Sequence, residues 1–286
     1  MPPLAVLCHH GPVPVTFLAH QAPVLPMKRR WPGLDGVALV AGSMVPDLAV
    51  TTLRTTPRYL AGVPLWWEGH TLADQWNWCL PVGLVLTLLL RRLVLPALAP
   101  YLPDAGGFHL QDLRHVGRVR YRWWVIVGSL LIGSVSHVVI DGFTHPTGWA
   151  VGVVPGLDRG VASVLQVVAS VALSIVALWQ MWLIGRDRSI CVWNGVEPTP
   201  PVRPVAETAV RAVAVLLTLA AAAWASTQTE RGSTIVVMTW FALSLVGAVV
   251  LAVAVRVGSG VAGRSPARPF RPVRPTRRCV PGARSG

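Results

Sequence analysis

Three ionisable side chains follow one another at intervals of four residues near the end of an apolar stretch. His137, Asp141 and His145 lie in "SHVVIDGFTHPTGW", directly after "RWWVIVGSLLIGSV" (122–135). Residues four apart share one face of a helix, so the three side chains form a stripe, and the proline that follows predicts the helix end. Imidazole nitrogens and carboxylate oxygens are ligands that Zn²⁺ and similar divalent ions accept. The spacing therefore indicates either a metal site or a buried polar network satisfied by hydrogen bonds.

Two further ionisable residues are expected at the same depth as this stripe. Asp47 ends the apolar stretch "GSMVPDLAV", and His70 lies in "WEGHTLADQW", just ahead of another apolar run. An ionisable group inside hydrocarbon costs several kcal/mol unless it has a partner or a wet cavity, so such groups are expected to share partners. Asp47 and His70 are therefore candidate ligands beside the stripe.

The elements that must position these residues are membrane helices. Apolar residues make up 53% of the 286-residue chain and charged residues only 13%, and the mean hydropathy is +0.55. A bilayer core is crossed by about 20 mainly apolar residues. Five segments meet that length: 77–98, 123–143, 161–184, 209–226 and 233–255. A sixth, 33–50, is shorter and contains two aspartates and a proline. The sequence predicts an all-α, multi-pass transmembrane bundle of about six helices, whose first helix is short enough either to cross or to re-enter.

Arginine-rich and arginine-poor loops alternate along the chain. Positive residues favour the cytoplasmic side, which assigns the basic tail and the 99–122 and 185–206 loops to the cytoplasm. The loops expected outside are 51–76, 144–160 and 227–232. Six crossings then place both termini in the cytoplasm and the His137 stripe near the outer face of the plasma membrane. The arginine bias over lysine also hints at a bacterial, GC-rich source.

The formal net charge of +13 raises the question of nucleic-acid binding. We expect no such partner, because the basic residues fall in the gaps between apolar runs and in the tail, which is the pattern of membrane-protein loops. The chain also lacks a G-x-S-x-G elbow, a Walker loop and an H-E-x-x-H motif. Serine hydrolase, P-loop and thermolysin-like classes are therefore not supported.

Four ordered motifs resemble a known family. "VTFLAHQAPVLPMKRR", "LVAGSMVPDL", "GHTLADQWNWCLPVGLVL" and "IGSVSHVVIDGFTHPTGW" resemble the membrane proteins of the domain-of-unknown-function 4184 family over residues 14 to 150. The family's characteristic positions correspond here to His20, Gly42, Pro46, Asp47, His70, Ser136, His137, Asp141, Thr144, His145 and Pro146. The family is distantly similar to membrane-bound metal-dependent hydrolase-like proteins. That resemblance implies a metal site and hydrolysis.

The resemblance adds His20 to the ligand set, which conflicts with the topology. With 33–50 spanning and Lys28 to Arg30 in the cytoplasm, His20 starts far from Asp47. It reaches the other ligands only if residues 16–26 dip back into the protein, or if 33–50 is re-entrant and the N-terminus is external. The second arrangement opposes the charge bias.

The expected organisation has four parts. Residues 1–13 form an N-terminal extension, 14–150 a core with the His/Asp motifs and three membrane helices, 151–256 three further helices, and 257–286 a basic, proline-rich disordered tail. His9 and His10 belong to the extension, and His109 and His115 lie in a cytoplasmic loop. These four histidines are excluded from the site.

The leading hypothesis is a metal-dependent membrane hydrolase with an outward-facing site. We expect a divalent ion, Zn²⁺ first, held by His20, Asp47, His70, His137, Asp141 and His145, and a lipid or lipid-linked phosphate or ester as substrate. The alternatives are a transporter whose polar stripe lines a path and a non-catalytic membrane protein with a structural polar cluster. No paired discontinuous helices or inverted repeats favour the transporter.

Overall fold

The computed structural model describes residues 16–55, 59–60, 63–64, 69–204, 206–227 and 233–262. Within those ranges the chain is helical except for connecting turns and one short antiparallel pair of strands, β1 (Tyr59–Leu60) and β2 (Val63–Pro64). The helices are α1 (Thr16–Ala19), α2 (Gln21–Arg30), α3 (Gly36–Thr55), α4 (Leu72–Tyr101), α5 (Trp123–Thr144), α6 (Arg159–Arg186), α7 (Ser189–Trp193), α8 (Glu207–Ser226) and α9 (Ser233–Ala262). A 3₁₀ turn at Leu110–His115 lies in the α4–α5 connection.

The all-α, multi-pass bundle is confirmed. In the described chain, five helices are long and apolar enough to cross a membrane: α4, α5, α6, α8 and the Thr239–Ser259 part of α9. The apolar part of α3, Gly36–Ala49, is shorter than these. The predicted short first helix is therefore α3, and it begins at residue 36 because Asp35 caps it. The Asp35 side chain accepts hydrogen bonds from the backbone N–H groups of Val37 and Ala38.

The centre of the bundle is the pairing of α3 with α5, which run in the same direction. At one end the backbone N–H of Asp35 donates to Ser129 Oγ at 2.9 Å, and towards the other end Asp47 lies beside His137. Glycine allows the close approach. A Cβ at Gly42 would collide with the Leu130 carbonyl, and one at Gly133 would collide with the Leu39 carbonyl.

Two helices, α2 and α4, lie antiparallel to this pair. α2 precedes α3 as one arm of a hairpin, and at the hairpin's turn Lys28 Nζ donates to the carbonyls of Pro32 and Leu34. α4 lies antiparallel to α3, with a buried ion pair between Arg91 and Asp35. We call this the basal end of the bundle; the opposite end, which contains Asp47, is the site end. An α-helix rises about 1.5 Å per residue, so Asp47 lies about 18 Å along α3 from Asp35.

The remaining long helices lie around this central group. α6 packs on α1, α2 and α5, while α8 and α9 pair with each other and α9 also contacts α3 and α4. Large apolar side chains are exposed along these helices, for example Val164 and Ile175 on α6, Leu216 on α8 and Val250 on α9. Such a surface is compatible with a lipid bilayer and would be unfavourable in water.

α9 continues to Ala262, six residues into the stretch expected to form the disordered tail. The sequence contains no proline between Ser233 and Pro266, so no proline forces the helix to end earlier. Residues 263–286, and the N-terminal extension with His9 and His10, lie outside the described residues.

Candidate metal centre

Four predicted ligands converge at the site end. One ligand atom from each of Asp47, His70, His137 and Asp141 lies within 4.8 Å of all the others. His137 Nε2 is 3.5 Å from an oxygen of Asp47 and 3.3 Å from Asp141 Oδ2. His70 Nε2 is 3.1 Å from the same Asp141 oxygen and 3.3 Å from His137 Nε2. The four ligands come from α3, α5 and the loop that precedes α4.

His137 is fixed by the backbone of α3. Its Nδ1 lies 2.8 Å from the carbonyl oxygen of Ser43, and its ring is fully buried. A carbonyl can only accept a hydrogen bond, so Nδ1 carries a proton and Nε2 faces the centre. The Ser43 hydroxyl is itself held by Gln21 at 3.0 Å.

His70 is positioned by a small loop at the start of α4. Gly69 has a φ of +81° and lies against the Pro46 carbonyl, where a Cβ would collide. The Asp74 carboxylate accepts from the backbone N–H of Gly69 at 3.1 Å and from Thr71 Oγ1 at 2.7 Å. Thr71 in turn caps the helix by accepting from the Asp74 N–H, which completes a capping box.

The cluster is largely buried, and His70 is its most exposed member. The exposed fraction is 33% for the His70 side chain, 12% for Asp141 and 8% for Asp47. Asp47 Oδ2 is buried and has no hydrogen-bond partner in the described part of the chain. Solvent and ligands therefore reach the centre past His70.

His20 joins the cluster through the α2–α3 hairpin. Its ring stacks on His137 with centroids 3.7 Å apart, and its Nε2 lies 3.5 Å from Asp141 Oδ1. Residues 16–26 therefore run beside α3 inside the bundle, with His20 at the site end, and the side of the membrane on which the N-terminus lies stays a prediction. Burial, and secondarily the nearby His137, lowers the pKa of His20 to about 3, so its ring is neutral near pH 7.

His145 lies one helical turn beyond Asp141 and outside the set of four. It follows the last residue of α5 in extended conformation, and its backbone N–H donates to the Asp141 carbonyl at 2.9 Å. Its ring is half-buried and close enough to His20 and Asp47 for their charges to interact.

The remaining motif positions and histidines bond elsewhere. The hydroxyls of Ser136 and Thr144 donate to carbonyls of their own helix. His109 pairs with Asp104, and His115 Nε2 accepts from Arg114, all in the α4–α5 connection.

Several positioning residues were not identified from the sequence. Thr71 and Asp74 hold the His70 loop, Gln75 bonds both the Gly69 carbonyl and Ser134, and Gln21 bonds Ser43. The Thr-x-x-Asp spacing at 71–74 is a helix-start signal that could have found the first two. The roles of the two glutamines depend on contacts between distant segments, for which the sequence carries no local signal.

Comparison with known proteins agrees with these motifs. A family model described as "Domain of unknown function (DUF4184)" matches residues 13–259. The chain belongs to the DUF4184 family. The match includes every residue of the DUF4184 His/Asp cluster described above and extends to the later helices. No curated protein and no solved structure matches the chain.

Proposed function

We propose that this DUF4184 protein is a membrane-embedded metalloprotein that binds one or more divalent cations, Zn²⁺ first, and hydrolyses an ester or phosphate bond. Asp47, His70, His137 and Asp141 would hold the ion. The alternative, a non-catalytic polar cluster, would bring the same residues together without an ion, so the distances between their ligand atoms bear on the choice.

The spacing of the ligand atoms is the main support for a bound cation. Zn–N and Zn–O bonds of about 2.0–2.1 Å give tetrahedral ligand-to-ligand edges of about 3.3 Å. Four of the six separations among these ligand atoms run from 3.1 to 3.5 Å, and all six lie within 4.8 Å. Charge-assisted N–H···O hydrogen bonds are shorter, about 2.7–2.9 Å. The four shorter separations therefore match tetrahedral ligand edges, and the His70–Asp141 contact alone is also short enough for a direct hydrogen bond.

The chemistry of the donor set agrees with the spacing. Two carboxylates and His137 Nε2 face one another, and with the proton of a neutral ring held on Nδ1, Nε2 would be an electron-pair donor like the carboxylate oxygens. Donors that converge in a buried place repel one another unless a proton or a metal cation lies between them. The Ser43 carbonyl that fixes the His137 tautomer is an outer partner of the kind that metal-binding histidines commonly have.

A divalent ion held here would act as a Lewis acid and make water acidic enough to supply hydroxide near neutral pH. The chain's own groups divide the remaining tasks. Asp47 Oδ2, which has no hydrogen-bond partner among the described residues, is placed to accept a proton beside the centre. His70 lines the opening, where it would contact the substrate.

The surroundings of the opening favour an amphiphilic substrate. Leu72 and Trp76 follow His70 at the start of α4, and their exposed fractions are 85% and 62%. Apolar side chains next to a polar centre suit a molecule with a lipid part and a hydrolysable head. We therefore propose a lipid or a lipid-linked ester or phosphate as the substrate class.

Elemental analysis of detergent-purified protein, prepared without chelators, tests the metal. We expect stoichiometric metal in the wild type and a large loss in His137→Ala and Asp141→Asn, the second of which keeps the shape and removes the charge. Losing a direct ligand is expected to cost more than the 10–100-fold typical of outer partners. His115→Ala, in the α4–α5 connection, serves as the histidine control. Wild-type protein without metal would favour the structural cluster and remove the basis for hydrolysis.

A further inference from the structure

The two oxygens of Asp141 face different histidines. Oδ2 lies 3.3 Å from His137 Nε2, while Oδ1 lies 3.5 Å from His20 Nε2. Oδ2 is also 3.1 Å from His70 Nε2, so one oxygen belongs to the four-ligand centre and the other points away from it, towards His20. A carboxylate whose two oxygens face different histidines in this way can bridge two cation-binding positions.

The rings of His20 and His137 are stacked almost in parallel. Their centroids are 3.7 Å apart and their planes make an angle of 21°. Each ring directs its Nε2 at a different oxygen of Asp141. Two ions bound in the planes of such rings would be separated by roughly the stacking distance. Two-metal hydrolytic sites have ions about 3.5–4 Å apart, so the stacking distance falls within that range.

The ring of His20 is buried without a hydrogen bond among the described residues. The residue is 2% exposed, and neither ring nitrogen has a hydrogen-bond partner among the described residues. A buried imidazole without hydrogen bonds costs free energy, and buried polar groups in native proteins are normally satisfied. The Nε2–Oδ1 separation of 3.5 Å is too long for a good hydrogen bond and close to a tetrahedral ligand edge. A cation between these two atoms would satisfy both.

We propose that the centre binds two divalent cations bridged by the Asp141 carboxylate. The first position is formed by Asp47, His70, His137 and Asp141 Oδ2, and the second by His20 Nε2 and Asp141 Oδ1. His145 follows one turn beyond Asp141, and its backbone N–H donates to the Asp141 carbonyl, so it is a further imidazole close to the second position in the chain. This inference rests on the proposed function, because the second ion shares a ligand with the first.

Metal counting with a shape-matched variant tests the second position. His20→Phe keeps an aromatic ring on His137 and removes both nitrogens, and His20→Gln serves if the phenylalanine variant does not fold. After loading the full-length protein with Zn²⁺ and removing the excess, we expect about two ions per chain in the wild type and about one in the His20 variant. Loading with Mn²⁺ adds a second readout by electron paramagnetic resonance. The wild type should give the signal of an exchange-coupled pair of ions, and the variant should give the signal of isolated ions.

The outcomes separate the two proposals. One ion per chain in the wild type, or two ions in both wild type and variant, would overturn the two-ion centre and leave the single metal site standing. No ion in the wild type would instead defeat the proposed function itself. His109→Gln, in the α4–α5 connection, is the histidine control and should retain two ions.

Discussion

His137 presents a single nitrogen to the centre because its other nitrogen is bonded to the backbone of α3. The 2.8 Å contact with the Ser43 carbonyl fixes both the ring orientation and the tautomer. The loop that carries His70 is held by the capping box between Thr71 and Asp74. At the scale of single residues, the positions of the candidate ligands thus depend on neighbouring groups that are not themselves candidate ligands.

The capping box gives a prediction at this scale. Asp74→Ala removes the acceptor that holds the Gly69 N–H and Thr71 Oγ1, so His70 loses its fixed position. We expect metal affinity to fall about 10–100-fold, as for other outer partners. Competition against a chromophoric chelator measures this.

Asp158→Ala provides the matched control. Asp158 caps α6 by accepting from the Val161 N–H at 2.8 Å, and it bonds none of the four ligands. Loss of a helix cap costs about 1 kcal/mol of stability in either variant. Only the Asp74 variant should lose metal affinity, and equal affinities in the two would refute the positioning role.

Among the elements, α3 and α5 determine where the ligands meet. Their glycine contacts bring the backbones close enough for Ser43 on α3 to bond His137 on α5. The α2–α3 hairpin then returns His20 to the same depth, although Lys28 stays at the basal end.

Gly133→Ala should separate these two helices. The added Cβ would collide with the Leu39 carbonyl, so we expect a lower melting temperature in detergent and loss of metal binding together. Gly128→Ala on the same helix is the control, because a Cβ there meets no atom within 4 Å. Alanine is about 0.5–1 kcal/mol better than glycine inside a helix, so the control should be at least as stable as wild type. Similar behaviour of the two variants would contradict the close α3–α5 contact.

In the whole molecule, a polar centre lies inside helices whose outer faces are apolar. The centre and the start of the α5–α6 connection share the site end, while the α4–α5 connection and the end of α6 are at the basal end with most of the loop arginines. The positive-inside bias therefore predicts that the site end faces outward.

Reporter fusions test this orientation. Fusions truncated after Val153 and after Glu197 should behave oppositely, with an alkaline phosphatase reporter active only after Val153. A reporter sensitive to the cytoplasm serves as the reverse control at both points. Phosphatase activity after Glu197 would contradict the predicted orientation.

The sequence predicts the parts of this site that depend on local periodicity. The spacing of His137 and Asp141 is sufficient to place both on one helix face, and hydropathy is sufficient to locate the long helices. The position of His20 is different, because it depends on how α2 packs against α3 and α6, and the charge rule alone leaves two arrangements open. Likewise, Gly42 and Gly133 have no visible role until α3 and α5 are placed side by side.

X-ray absorption spectroscopy at the zinc edge tests the central claim most directly, because it reports the ligands of an ion in the purified, chelator-free protein. We predict nitrogen and oxygen ligands at about 2.0–2.1 Å with the outer scattering pattern of imidazole, and no sulfur shell near 2.3 Å. The absence of sulfur follows from the cluster, which contains histidine and aspartate alone. A spectrum without imidazole scattering would contradict a metal centre at His70, His137, Asp47 and Asp141. So would a zinc absorption edge no larger than that of the buffer alone, because it would mean that the protein holds no zinc.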